Sequence, residues 1–178
     1  MPSLLAIFLL FPLGIDWQTR LLKSELEING YTRIYGGLNQ GNSTFMGQID
    51  DYSAEVFVEH PGGYIHRATL IIDTRQITET NCLSIYRLLQ GLLVIKYGPS
   101  FTRFVRTDPV IDDLLYAHRC HAIRTGIESV SSIWNTKEFK IELSIFGDDV
   151  ICIEITYTYK KYFKRFIKDN KARLLKKL

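Results

Sequence analysis

The chain has 178 residues, 46% of them hydrophobic and 23% charged, with a formal net charge of +3. That length buries a core without staples, and the composition is ordinary globular usage, so a largely disordered chain is excluded outside the C-terminus. Residues 159–178 carry nine Lys/Arg and one acid, about +8, while residues 1–158 carry 13 bases and 18 acids, about −5. An acidic body argues against a nucleic-acid-binding body and assigns any anionic partner to the tail.

In chain order, the first feature is an apolar run, Leu4 to Phe11 with Leu13 and Ile15. It is too short to span a bilayer. It fits an export signal, intact or truncated, although no Lys or Arg precedes it and no Ala-x-Ala site follows. It equally fits a buried strand. No cysteine follows it, so lipidation is not supported.

Asp16 is a candidate N-cap, and Trp17, Leu21, Leu22, Leu26 and Ile28 recur at near-helical spacing up to Asn29-Gly30. Residues 36–44 form a polar, glycine-rich stretch that reads as a loop. Phe45 to His60 and Tyr64 to Asp73 read as strands folded at Pro61-Gly62-Gly63.

The clearest helix is Cys82 to Tyr97. Thr80 or Asn81 is placed to cap it, and Cys82, Ile85, Leu88, Leu89, Leu92, Leu93 and Lys96 fall along one face. Gly91 inside it marks close packing against a neighbour, and Gly98-Pro99-Ser100 stops it. Residues 101–130 carry no clear pattern, apart from a short helix over Asp112 to His121. Phe139, Ile141, Leu143 and Ile145 then alternate with polar residues, and Val150 to Tyr159 alternates similarly across a turn at Gly147-Asp148-Asp149. The tail, 159–178, reads as an amphipathic helix with a stripe of Tyr162, Phe163, Phe166, Ile167, Leu174, Leu175 and Leu178 among lysines.

Two similar halves emerge, 13–75 and 80–158, each a helix followed by a hairpin. They make residues 1–158 one α+β domain: a mainly antiparallel sheet with helices packed on one face, followed by the basic helix.

Little in the chain points to chemistry. Cys82, Cys120 and Cys152 are odd in number and irregular in spacing, so no disulfide framework or metal pattern follows, and Cys82 and Cys152 read as buried thiols. His118 and His121, three apart on a helix, can share a metal and support a hydrolase, but a structural site needs four ligands and no second Cys/His pair exists. The doublets Asp50-Asp51, Asp112-Asp113 and Asp148-Asp149 are better explained as turns than as acid–base pairs. No phosphate-binding, dinucleotide or nucleophile-elbow motif occurs. The expectation is no enzyme, no metal and no cofactor.

The stretch Leu13-Gly14-Ile15-Asp16, the helix end Asn29-Gly30-Tyr31, then Phe45-Met46-Gly47, Glu55-Val56-Phe57-Val58, Lys96-Tyr97-Gly98-Pro99-Ser100 and the 139–158 hairpin together resemble small uncharacterised exported proteins of gut bacteria. The arrangement is similar to the repeated helix-plus-sheet units of β-lactamase-inhibitor proteins and of the small lipoprotein of the outer-membrane barrel-assembly machinery. The resemblance covers roughly residues 13–158. It implies a non-enzymatic protein-interaction module of the bacterial cell envelope, periplasmic or secreted, with a cytoplasmic location as the alternative. On that expectation an unknown protein partner docks on an exposed sheet face through Tyr52, Tyr64 and Trp134, since aromatic residues dominate interface energetics. The alternative is an anionic membrane surface, or less readily nucleic acid, bound by Lys160, Lys161, Lys164, Arg165 and Lys168.

Overall fold

The computed structural model describes residues 31–36, 41–49, 51–107 and 118–175. The elements are β1 (Thr32–Gly36), β2 (Asn42–Ile49), β3 (Tyr52–Glu59), β4 (Arg67–Ile72), α1 (Cys82–Tyr97), β5 (Phe101–Arg106), α2 (Arg119–Arg124), β6 (Glu128–Asn135), β7 (Phe139–Asp148), β8 (Val150–Tyr159) and α3 (Lys160–Leu175). The expected helix over 16–29 and the apolar run before it lie outside the described residues.

All eight strands join one antiparallel sheet in the order β1-β2-β3-β4-β8-β7-β6-β5. The chain lays down one four-strand meander, crosses to the far edge through α1, and lays down a second meander running back. The two meet at β4 and β8, where Thr69 pairs with Thr156 and Leu70 with Ile155. Both hairpins foreseen at 61–63 and 147–149 are present, and they share one β-layer.

Strand alternation explains the core. One transverse row runs Phe45, Val56, Leu70, Ile155, Leu143, Ser132, Thr102, and its six members from Phe45 to Ser132 are buried. On this face α1 buries Cys82, Ile85, Tyr86, Leu89 and Leu93, a spacing of three and four that keeps one helix stripe against the sheet. Tyr86 and Gln90 both hydrogen-bond Ser132, at 2.8 Å each, so the polar residue in the core row is satisfied by the helix above it.

The structure departs from the sequence expectation at several positions. Residues 45–60 are not one strand but parts of two, and the stretch read as loop contains the end of β1 and the start of β2. Leu88 is exposed and Tyr86 takes its place in the buried stripe. Gly91 meets nothing within 4 Å of a notional Cβ, so close packing is not its reason. Asn81 does not cap α1: its side chain turns back to accept from the Thr78 N–H and to donate to the Gln76 carbonyl. The short helix begins at Arg119 and ends at Arg124, with residues 112–117 outside the described set.

Cys82 and Cys120 form a disulfide, with Cα atoms 6.1 Å apart, and only Cys152 is a free thiol. The thiol expected at Cys82 is therefore a crosslink between the first turn of α1 and α2. The pairing was hidden because the two cysteines lie 38 positions apart, with strand β5 between them.

Candidate functional site

The sheet has a second face. Its transverse rows are Thr44, Phe57, Thr69, Thr156, Glu142, Ile133, Phe101 and, beside it, Met46, Glu55, Ile71, Glu154, Ser144, Ser131, Arg103. Every one of these side chains is exposed or half-buried. Hydroxyl pairs tie neighbouring strands across it: Thr69 with Thr156 and Ser131 with Ser144, each at 3.1 Å. Such cross-strand pairs stiffen a solvated face without covering it. Large apolar groups stand among the hydroxyls, notably Phe57, Phe101 and Phe146.

The charges on this face are unevenly matched. Lys140 pairs with Glu142 at 2.8 Å. Near the other end Glu59 takes His66 at 3.1 Å and Arg67 at 3.3 Å, and its carboxyl is held below the usual range chiefly by the His66 contact. Glu154, mid-sheet, is pushed the other way, first by burial and then by the neighbouring Glu142 carboxylate. Beside it the Cys152 thiol is raised to about 11 by burial and by Glu154, so it is a protonated, unreactive thiol at neutral pH.

Helix α3 closes the Glu59/Arg67 end. Its Phe163 and Phe166 stack on the buried His66 ring at 5.9 and 4.6 Å, the Arg67 guanidinium lies 5.3 Å over Phe163, and Tyr162 packs on Tyr64 at 5.0 Å. The stripe foreseen in the tail is thus engaged with the body over its first two turns. Ile167 is left exposed, and Lys161, Lys164, Arg165 and Lys168 face solvent. Lys160 is half-buried and donates to the Thr136 carbonyl.

The expected site residues do not come together. Trp134 belongs to the helix-covered face, 2% exposed, with its indole N–H donated to the Gly98 carbonyl at 2.8 Å. It offers a partner no surface, and that expectation is corrected: its place in β6 puts it in register with Ile141 of the core row beside it. Tyr52 is half-buried and packed against the core. Tyr64 stands at the α3 corner, away from the middle of the open face. Sequence reasoning did not assign Phe57, Phe101 and Phe146 to the site: Phe57 and Phe146 are visible as apolar residues out of phase with the buried alternation of their strands, whereas Phe101 lies in a strand without such alternation.

The other polar clusters are matched internally. Arg119 pairs with the buried Glu128, and His121 and Arg124 both reach Glu79, at 3.2 and 2.6 Å. His118 is exposed and Cys120 is in the disulfide, and no group of three or more His, Cys, Asp or Glu that could hold a metal ion occurs among the described residues. No described helix is long and apolar enough to cross a membrane. The first meander holds a different cluster: Ser43 and His60, both buried, share a hydrogen bond of 2.9 Å, and the Nδ1 of His60 and the Nε and Nη2 of Arg33 are buried without a partner. Burial lowers the His60 pKa, with nearby Arg33 adding to it. Comparison with protein-family models, with curated proteins and with solved structures finds no match for this chain.

Proposed function

We propose that this chain is a non-enzymatic protein-interaction module that docks a partner on the open face of its sheet. One observation carries the proposal: one face of the sheet is buried, across β6–β8 under α1 and α2, while the central rows of the other leave Phe57 and Phe101 exposed and Ile71 and Ile133 partly exposed among serines and threonines. An apolar minority set in neutral hydrogen-bonding groups is the make-up of a recognition surface that stays soluble when empty. The matched state of the Glu79, Glu128 and Glu59 clusters supports a structural use of those charges in place of catalysis.

A setting in the bacterial envelope, periplasmic or secreted, fits the Cys82–Cys120 crosslink, since such bonds persist in oxidising compartments. The two four-strand meanders, with α1 and α2 on the buried face of the second, support the view of two related halves. The basic-tail alternative is narrowed over the first two turns of α3 by the packing of Phe163 and Phe166: there a bilayer would meet the cationic side of the helix, which favours a salt-sensitive contact.

A photo-crosslinking residue placed at position 57 or 156 tests the proposal. It should capture a discrete envelope protein, whereas the same residue at Ile95 on α1 should not. Equal capture from both faces, or capture from position 57 that survives Phe146→Arg together with Thr69→Arg, would refute docking on the open face.

A further inference from the structure

We infer that β5 is a docking edge for the β5 strand of a second copy of this chain. Among the described residues the sheet has two edges, and they are built differently. Strand β1 is broken by a register irregularity between Arg33 and Tyr35 and ends at Gly36 with φ +89°, the kind of interruption that blunts an edge against pairing. Strand β5 pairs without interruption with β6 from Phe101 to Arg106, and contains no proline, glycine or lysine. Phe101 is 70% and Phe104 54% exposed, so both sides of this strand keep aromatic surface open to solvent.

Backbone parity fixes which groups of β5 are available. The Thr107 N–H donates to the Ile127 carbonyl at 3.0 Å. In an antiparallel ladder the main-chain groups of alternate residues point the same way, so the odd positions 101, 103 and 105 face β6. Thr102, Phe104 and Arg106 therefore present their N–H and C=O groups at the outer edge. A two-fold axis through Phe104 sets Phe104 opposite its own copy and Thr102 opposite Arg106, and engages all of these groups in about six main-chain hydrogen bonds. It also sets Arg103 opposite Val105. An axis through Arg103 would instead place two like charges face to face and leave Arg106 unpaired, and a one-residue slip would set the open face of one copy beside the covered face of the other. The strand is self-complementary in one register. On the helix side of that pair each Phe104 ring is backed by an Arg119 guanidinium at 4.6 Å. The result is one continuous sheet in which the two open faces lie on the same side. The contact uses the edge and not the face, so it stands apart from the function proposed above.

Sedimentation of the intact, oxidised protein over a concentration series tests this. The expected mass is twice the 20.6 kDa of one chain, falling to that of a monomer for Phe104→Lys with its circular dichroism unchanged. Should Phe104→Lys not fold, Val105→Lys serves: facing Arg103 of the partner copy twice, it weakens association roughly two- to thirtyfold, and adding Arg103→Glu restores it. In a Cys152→Ser background, Phe104→Cys should form a crosslinked dimer, because its Cα atoms would lie ~5.5 Å apart across the axis, and Arg103→Cys should not. A monomer at ~100 μM, a dimer indifferent to these changes, or crosslinking through Arg103→Cys in place of Phe104→Cys would overturn the inference.

Discussion

The two meanders share a topology but hold together by different means. The second, β5–β8, is clamped from above: α1 and α2 are joined by the Cys82–Cys120 bond, Arg119 grips Glu128, and the α2 exit lies backbone to backbone on the β7–β8 hairpin. A Cβ on Gly147 would stand 2.4 Å from the Ile123 carbonyl oxygen and 2.7 Å from Arg124 Cα. The first, β1–β4, has a smaller-residue core, with Ala54 and Ala68 among its buried positions, and it hides polar atoms without partners at Tyr31, Arg33, His60 and the Nδ1 of His66. Buried unpaired polar groups are costly. Such atoms are more numerous in the first half than in the second, where the Tyr97 hydroxyl is one, and the reinforcement lies in the second.

The largest expected effect tests the reinforcement. Replacing Cys82 and Cys120 by Ala should lower the unfolding free energy by about 3–4 kcal/mol, read by urea titration. Hydrogen exchange should quicken in α1, α2 and β6 before it does in β2 and β3. A uniform loss of protection would erase the contrast.

The two tight glycines make the next test. Gly147→Ala forces backbone against backbone and should cost about 3 kcal/mol. Gly47→Ala meets only the Tyr31 ring, 2.3 Å from the notional Cβ, which is a side chain able to give way, and should cost about 1 kcal/mol. The reverse order would show that the Tyr31 contact, and not the hairpin clamp, is the rigid one.

Titration separates the halves more finely. His60 has its folded pKa below the usual 6.5 because it is buried, so the unfolded chain binds the proton first as pH falls. Stability should decline as pH drops below 6.5 towards the folded value, and His60→Asn should flatten that limb of the curve. Glu154 has the opposite sign: its folded pKa lies above 4.5, so stability is lost as pH rises from 4.5 through the folded value. Glu154→Gln should therefore stabilise the protein slightly at pH 7, by a few tenths of a kcal/mol (~0.3), since water still reaches this carboxylate.

Much of the architecture was legible where burial and alternation coincide. Phe139 to Ile145 reads as a strand because every second residue is apolar and buried. Strand β6 was not legible because Glu128 and Ser132 occupy buried positions, where Arg119 and Tyr86 satisfy them. Those partners lie nine and 46 positions away, beyond any local pattern. Strand β5 escaped for the converse reason: an exposed edge has no apolar side to mark it. The aromatic choices failed similarly. Trp134 carries a strong interface propensity, yet its neighbours across β7 draw it inward, while Phe57 and Phe146 look unremarkable until their phase against the core is known.

One feature of the topology bears on biogenesis. The seam between the meanders joins Thr69 to Thr156, 87 positions later in the chain. At ~5–20 residues per second the apolar flank of β4 waits roughly 4–17 s for its neighbour to emerge from the ribosome. Until then Leu70, Ile71 and Ile72 lie beside an empty lane that any extended chain can occupy. Truncations ending before β8 should therefore be recovered as aggregates instead of half-molecules.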